Sequence, residues 1–422
     1  MTRITRPALV FALAVGVVVS LGACSTPVPM PVPTGSPSAT PQAVLGDGVL
    51  RIGTLMPTSG NFAFLGPAQV AAVSVAVAEI NAAGGVNGKP VELLPRDSGD
   101  ASTTTAEASL ADLVANKADV VIGPTSSVLA TRLLPAIVAA KIPMISPAAT
   151  FPGLTTANDD GLFFRTIPAY GDQGSALAKV LSTADGQKVA LVYTDDDLGA
   201  AILPTLKAGL EKGKSTLFTE PVPPATTDFA PIIAAVVAAK PDVVVLATAY
   251  SSLDLTKALI TQLVGAGYGG AKLWLTTQNA GDYSQALPAG SIVGVNGIIE
   301  GAQADDAFIA RLKAVTPDLA SFRYAPEAYD ATIMAALAAV VAKDDSGTAI
   351  AGALQDVSRD GIKCTTFAEC IQVLAAGDGI DYDGISGPLG FTDAGDPTPA
   401  SYGLYTFNAE NKFDFARGIV AG

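Results

Sequence analysis

The 422-residue chain contains no histidine. That absence excludes Ser-His-Asp and Cys-His catalysis and every histidine-containing metal site. No G-x-S-x-G elbow, Walker A loop or dinucleotide fingerprint stands in a suitable context either. Carboxylate-pair catalysis is not excluded, but no pair stands out, so neither an enzyme nor a cofactor nor a metal is expected. Charge is scarce, with 25 Lys and Arg against 39 Asp and Glu and a net charge of −14. A chain so acidic, with few basic clusters, is a poor nucleic-acid binder, and no such partner is expected.

Long hydrophobic runs are also missing, although the mean hydropathy of +0.42 would suit a membrane protein. One segment qualifies for consideration, "PALVFALAVGVVVSLGA", which follows Arg3 and Arg6. Its apolar core, residues 8–21, is short for a bilayer span of ~20 residues. A basic start, a short apolar run and small residues at the end describe a secretory signal; the alternative is a permanent N-terminal anchor helix. The end of the segment, "LGAC" at residues 21–24, resembles the bacterial lipobox, in which the peptidase cuts before a cysteine that carries diacylglycerol. Residues 1–23 are therefore expected to be a signal peptide and Cys24 the lipidated anchor to the cell membrane. Removing 1–23 takes away two arginines and no acid, which moves the net charge to −16. Anionic lipid would repel such a protein, so attachment falls to the acyl chains.

Cysteine is rare as well, and the two others, Cys364 and Cys370, lie together in "CTTFAEC". An even pair in an oxidising compartment reads as a disulfide, with two free thiols as the alternative. Closing so small a loop contributes about 2 kcal/mol on the chain-entropy account. Neither a redox pair nor a zinc site fits the spacing.

What is present is an alternation. After a Pro/Ser/Thr-rich tether at 24–47, which has no hydrophobic period, "VLRIGTLMP" leads to a helix with Val70, Val73, Val77 and Ile80 on one face. That helix is expected from Pro67 to Gly84 and Gly85. "VELLPRD", "DVVIG" and "IPMIS" follow, separated by helices near 102–116 and 128–140. A second series runs through "KVALVYTD", "STLFTEP", "DVVVLAT" and "AKLWLTT", with helices near 171–183, 199–212, 229–239 and 253–265. Strands apolar without alternation are parallel strands covered on both faces. The chain is thus α/β, with two doubly wound lobes that meet near "FFRTIPAY" at 163–170.

Ligands of such sheets bind beyond the carboxyl ends of the strands. Ser127, residues 148–150, residues 194–197, Tyr250 and Gln278 stand there. In "IGPTSS", at 122–127, the three hydroxyls either cap the next helix, as Ser and Thr often do, or hold a ligand.

With those residues in view, the chain resembles the branched-chain amino-acid receptor family of ABC transporters, the type I periplasmic binding proteins (Leu/Ile/Val-binding-like). The segments are "GTLMPTSGNFAFLGP", "INAAGGVNGKPVEL", "VVIGPTSS", "IPMISPAAT", "VALVYTDDDLG" and "YDGISGPLGF", in family order and spanning nearly all of the chain after the tether. The resemblance implies two Rossmann-like lobes joined by a three-crossover hinge, closing on a small molecule. One lobe would take 48–165 plus 301–400, the other 166–300 plus 401–422. It also implies that Ser127, Ala148 and Thr150 hold a ligand carboxylate, beside a helix N-terminus whose dipole favours an anion. Tyr250 matches a cleft tyrosine, or else packs on a loop. Where amino-acid-binding members place an acid for the ammonium, this chain has Gln278 or Thr277. The aromatic of the "DDDLG" turn is Leu198 here, and the tyrosine of the first loop falls on Leu65 with Phe64 adjacent.

Carboxylate recognition is thus retained while the ammonium and aromatic parts change. The ligand need not be leucine, isoleucine or valine: a carboxylate without an α-ammonium, an amide or a small aromatic acid serves equally. Asp195, Asp196 and Asp197 suggest calcium, but acids before a helix also answer its dipole. Trp274, the single tryptophan, sits in a strand pattern that favours core packing over ligand stacking. The expected partners are a small-molecule ligand, an ABC permease and ATPase, and the membrane through Cys24, for a monomeric extracytoplasmic protein. A binding lipoprotein that reports to a membrane kinase would use the same clamshell.

Overall fold

Val120–Ile122 and Val243–Ala247 are uninterrupted apolar strands, and every residue in both is buried. Such strands need cover on both faces, and each sits inside its own sheet. The computed structural model describes residues 46–182, 186–249 and 252–422; Cys24 and Tyr250 lie outside them.

The first sheet holds β1 (Arg51–Met56), β2 (Glu92–Asp97), β3 (Val120–Ile122), β4 (Met144–Ser146) and β5 (Phe163–Arg165). Their order is β2-β1-β3-β4-β5, all parallel. Helices α1 (Gly66–Ala82), α2 (Thr105–Ala115) and α3 (Ser127–Ala140) connect them. Pro67 stands in the first turn of α1, and Gly84 and Gly85 follow its end with positive φ, the asymmetry its sequence predicts.

Next come α4 (Gln173–Leu181), β6 (Lys188–Thr194), α5 (Asp197–Ala200), α6 (Leu203–Lys212), β7 (Thr216–Val222) and α7 (Ala230–Ala239). They are followed by β8 (Val243–Ala247), α8 (Leu253–Gly265), β9 (Leu273–Leu275) and β10 (Asn296–Glu300). The single helix expected over 199–212 is two, because Pro204 lacks the N–H an unbroken helix needs and instead occupies the first turn of α6. The chain then returns to the first sheet with α9 (Asp306–Val315), α10 (Ala325–Ala342) and α11 (Gly347–Ala353). A small sheet follows, made of β11 (Ile362–Cys364), β12 (Ile380–Gly384) and β13 (Gly387–Pro388), with α12 (Phe367–Ala375) between the first two. Finally β14 (Ala400–Phe407) and β15 (Phe413–Ala421) complete a seven-stranded sheet, β15-β14-β10-β9-β8-β6-β7, in which β14 runs antiparallel to β10 and β15 antiparallel to β14.

Helix α10 is the spine of the first body. Every residue from Ala325 to Ala339 is buried, and α10 packs against α1, α11 and α12. Among the described residues it is the one helix long and apolar enough to cross a membrane. The sequence reading named only the N-terminal run for that property; α10 has it because protein surrounds it. Its Asp330 accepts hydrogen bonds from the Tyr382 hydroxyl (2.7 Å), the Ile385 and Ser386 amides (3.1 and 2.7 Å) and the Ser386 hydroxyl. These contacts explain the "YDGIS" segment: its turn is built around one carboxylate. Cys364 and Cys370, both buried, form a disulfide that ties the end of β11 to α12.

The chain crosses between the large sheets three times, at 166–169, 301–305 and 389–399. Polar groups knot these crossings together. Thr166 Oγ1 donates to the Glu327 carbonyl (2.8 Å), and the Ala302 amide donates to Glu327 Oε1 (2.6 Å). Gln173 Nε2 donates to Glu300 Oε1 (3.0 Å) and Thr277 Oγ1 (2.7 Å). Gly301, at φ 98°, admits no side chain, since a Cβ there would lie 2.8 Å from Glu327 Oε1. The fold is the type I periplasmic-binding-protein arrangement: α/β lobes on parallel sheets, joined by a three-strand hinge.

Candidate functional site

The two readings of "IGPTSS" are divided among its residues. Ser126 is the N-cap of α3, with extended backbone and a side chain that accepts from the Leu129 amide at 3.4 Å. Thr125 turns inward and donates to Gln69 Oε1 at 2.8 Å. Ser127, in the first turn, is left for other work. Its Oγ accepts from the Phe151 amide at 3.2 Å, which joins the start of α3 to the loop after β4 and leaves the hydroxyl proton available to an anion. The backbone before it approaches β1 so closely that a Cβ on Gly123 would stand 2.3 Å from the Leu55 carbonyl oxygen.

The loop after β4 carries Ala148 and Thr150, both nearly buried. Ser146 Oγ accepts from the Ala149 amide at 2.9 Å and, at the longer distance of 3.4 Å, from the Ala148 amide, while donating to the Pro124 carbonyl at 2.6 Å. The Thr150 carbonyl accepts from the Tyr170 amide at 2.7 Å, and among the described residues no protein group bonds its Oγ1. From beneath, Arg165 clamps the loop. Its guanidinium donates to the Ala149 and Phe151 carbonyls (3.0 Å each), to Thr155 Oγ1 (2.7 Å) and to Asp396 (2.5 Å). Arg165 is fully buried, and all three of its nitrogens are in use. No sequence motif had marked it.

On the second sheet, Asn279 fixes the turn after β9 by donating to the Leu246 carbonyl (2.8 Å) and Thr248 Oγ1 (2.9 Å) and accepting from the Thr276 amide (2.7 Å). Gln278 rides on that turn, half-buried, with no side-chain hydrogen bond among the described residues. Tyr250 falls outside those residues. Phe64, in the first loop, is 65 % exposed, while its neighbour Leu65 packs with Ala148, Ile167 and Tyr324. Phe62, Val128, Phe151 and Leu253, all in segments that follow strands, are likewise exposed. Asp97 and Asp100 anchor the first loop through the amides of Thr58, Ser59 and Asn61.

Among the remaining candidates, Asp196 caps α5 by accepting from the Gly199 amide at 2.7 Å. Trp274 and Leu198 pack in the core of the second sheet. At the crossings between the sheets, burial pushes the Glu300 carboxyl up to about 7 and the Glu327 carboxyl up to about 8. The second oxygen of each has no hydrogen-bond partner. Two surface hollows, of about 520 and 210 Å³, lie beside Arg96 and Asp112 and beside Phe163 and Gln355; none of the expected ligand residues lines either.

Two α/β lobes joined by three crossovers define a class, the periplasmic binding proteins. The chain belongs to the periplasmic binding protein family, whose model matches residues 49–411. Over 370 residues it is 28 % identical to the chemotactic signal transduction system substrate-binding protein BasB of Halobacterium salinarum, a match covering 82 % of this chain and 84 % of that one. Its fold is similar to that of the branched-chain amino acid transporter substrate binding protein LivJ of Streptococcus pneumoniae, solved with isoleucine (TM-score 0.60, 23 % identity, 88 % of this chain and 99 % of that one). It is also similar to an ABC-transporter solute binding protein of R. palustris, solved with benzoate (TM-score 0.56, 20 % identity, 88 % and 97 %).

Proposed function

We propose that this chain is an extracytoplasmic solute-binding protein, anchored by lipid at Cys24, that delivers a small carboxylate-bearing ligand to an ABC importer by clamshell closure. The ligand is an amino acid or a related amide or organic acid. The observation that carries the reading is the bond between Ser127 and the Phe151 amide, which sets a hydroxyl at a helix N-terminus beside the loop of Ala148 and Thr150. A hydroxyl, a main-chain N–H and a second hydroxyl beside the positive end of a dipole suit a carboxylate. The moving bodies are 48–165 with 301–400 and 166–300 with 401–422. Ser127, Ala148, Thr150 and Phe64 meet the ligand from the first, and Gln278 and Tyr250 from the second. Closure is favoured by contacts that both bodies make together. The isoleucine and benzoate complexes of its structural neighbours support a carboxylate with an apolar body, with or without an ammonium group.

A thermal-shift screen of amino acids, amides, ureas and aromatic acids identifies the ligand. Calorimetry on Ser127→Ala and Thr150→Ala then tests the site, each expected to weaken binding by about 1–3 kcal/mol where the carboxylate is desolvated. Unchanged affinity in the double variant removes the assignment. A second reading, in which occupancy is reported to a membrane kinase, draws support from the likeness to BasB. Genes for permeases and ATPases beside this one favour delivery; a gene for a kinase there favours sensing.

A further inference from the structure

Arg165 and Arg323 both lie where the chain passes between the sheets, but in opposite states. Arg165 is satisfied by two carbonyls, a hydroxyl and a carboxylate. Arg323 precedes α10, on the turn where Tyr324 takes a left-handed conformation (φ 63°), and its guanidinium carbon sits 4.8 Å from the centroid of the Tyr324 ring. Among the described residues no carboxylate lies within ion-pair distance of it. Its Nε is sealed from solvent without a hydrogen-bond partner, while part of the side chain stays open. Burial works against its charge, but Tyr324, Glu300 and Tyr405 outweigh that and hold it above its ordinary value. Glu300 and Glu327, the nearest acidic influences, are both pushed up by burial, so neither supplies a full counter-charge near neutrality.

The position of this cation, which has an aromatic neighbour but no carboxylate in ion-pair reach, gives it meaning. Tyr324 belongs to the same small cluster as Ala148 and Leu65, so Arg323 stands one aromatic ring away from the loop assigned to the ligand carboxylate. A guanidinium with an unsatisfied Nε and no carboxylate partner gains one only in the bound state, and that gain is selective for a ligand that brings it.

We propose that Arg323 receives a second acidic group of the ligand, so that the solute is a dianion with one carboxylate at Ser127, Ala148 and Thr150 and the other on Arg323. This deepens the carboxylate reading above and rests on it. The planar fork of Arg pairs both oxygens of a carboxylate at once, which a single ammonium does not. A solute with one acidic end leaves the fork empty and is rejected for that reason.

The test is calorimetry on the full-length chain with straight-chain diacids from succinate to suberate and the monoacids of matching length, butyrate to octanoate. In the parent protein at least one diacid is expected to bind about tenfold tighter, or more, than its matching monoacid. Arg323→Gln is expected to bring that pair within about twofold, and Arg323→Lys, which keeps charge without the fork, to retain part of the preference. Equal binding of mono- and diacids throughout overturns the proposal and leaves the carboxylate reading standing. Binding by neither class overturns the proposal, and the carboxylate reading then stands or falls with the screen of amino acids and aromatic acids. A ratio of one in the parent together with a lower melting temperature in Arg323→Gln makes the arginine a structural group and also overturns the proposal. Where Arg323→Gln fails to fold, the parent ratio and the lysine variant decide.

Discussion

Arg165 and Asp396 form an ion pair across 231 residues of sequence, and Arg165 is wholly buried. Its remaining donors hold the loop that carries Ala148 and Thr150, so the pair joins the third crossover to the loop after β4. Arg165→Met leaves the Asp396 charge in a buried place without its partner and frees two carbonyls. We expect a loss of about 3–5 kcal/mol in urea unfolding. Arg165→Lys keeps the charge but not the fork, so it should lower stability less while still weakening ligand binding.

Ser126 and Ser127 separate capping from binding. Ser126→Ala removes the acceptor for the Leu129 amide and is expected to cost about 1 kcal/mol of stability with ligand affinity retained. Ser127→Ala is expected to weaken ligand binding with little change in unfolding. Thermal denaturation and calorimetry on the two variants give both numbers.

The pH dependence of stability follows from Glu300 and Glu327. Both carboxyls are held above the ordinary 4.5, at about 7 and about 8, by burial. The folded chain therefore keeps protons that the unfolded chain releases. The contribution of these groups is complete below 4.5 and is lost as pH rises through about 7 for Glu300 and about 8 for Glu327. Unfolding free energy should thus fall on the alkaline side, and Glu327→Gln should flatten that fall between about pH 5 and about pH 9. An unchanged slope in the glutamine variant would sink this account.

Asp330 serves four donors of the β12–β13 segment. Asp330→Ala strands them in the core and is expected to cost about 3 kcal/mol or more in chemical denaturation.

Reducing the Cys364–Cys370 bridge, or replacing both cysteines with alanine, opens a short loop; the loss expected in chemical denaturation is about 2 kcal/mol.

The fold was legible because parallel strands covered on both faces leave continuous apolar runs, such as "DVVVLA", that no surface strand would carry. The strand, turn and helix start around Ser127 were legible because one short segment fixes all three together, and Ser127 stands in the first turn of α3 beside the loop of Ala148 and Thr150. The groups beneath them were not. A buried arginine reads like a surface one until its partner is known, and Asp396 lies far along the chain from Arg165. Glu300, Glu327 and Arg323 were hidden for the same reason: burial is a property of three crossovers meeting, which no local window contains. In the first loop the resemblance falls on Leu65 with Phe64 adjacent; Leu65 is buried and Phe64 exposed, because successive residues of a turn face different ways.

Helix α10 starts beside Tyr324, which packs with Ala148 and Leu65, and ends where Asp344 and Asp345 accept the amides of Gly46 and Gly48. Eighteen residues at ~1.5 Å each separate these poles by about 27 Å. Gly46 and Gly48 are therefore held a full rod's length from Tyr324, and whatever shifts the rod at one pole is felt at the other.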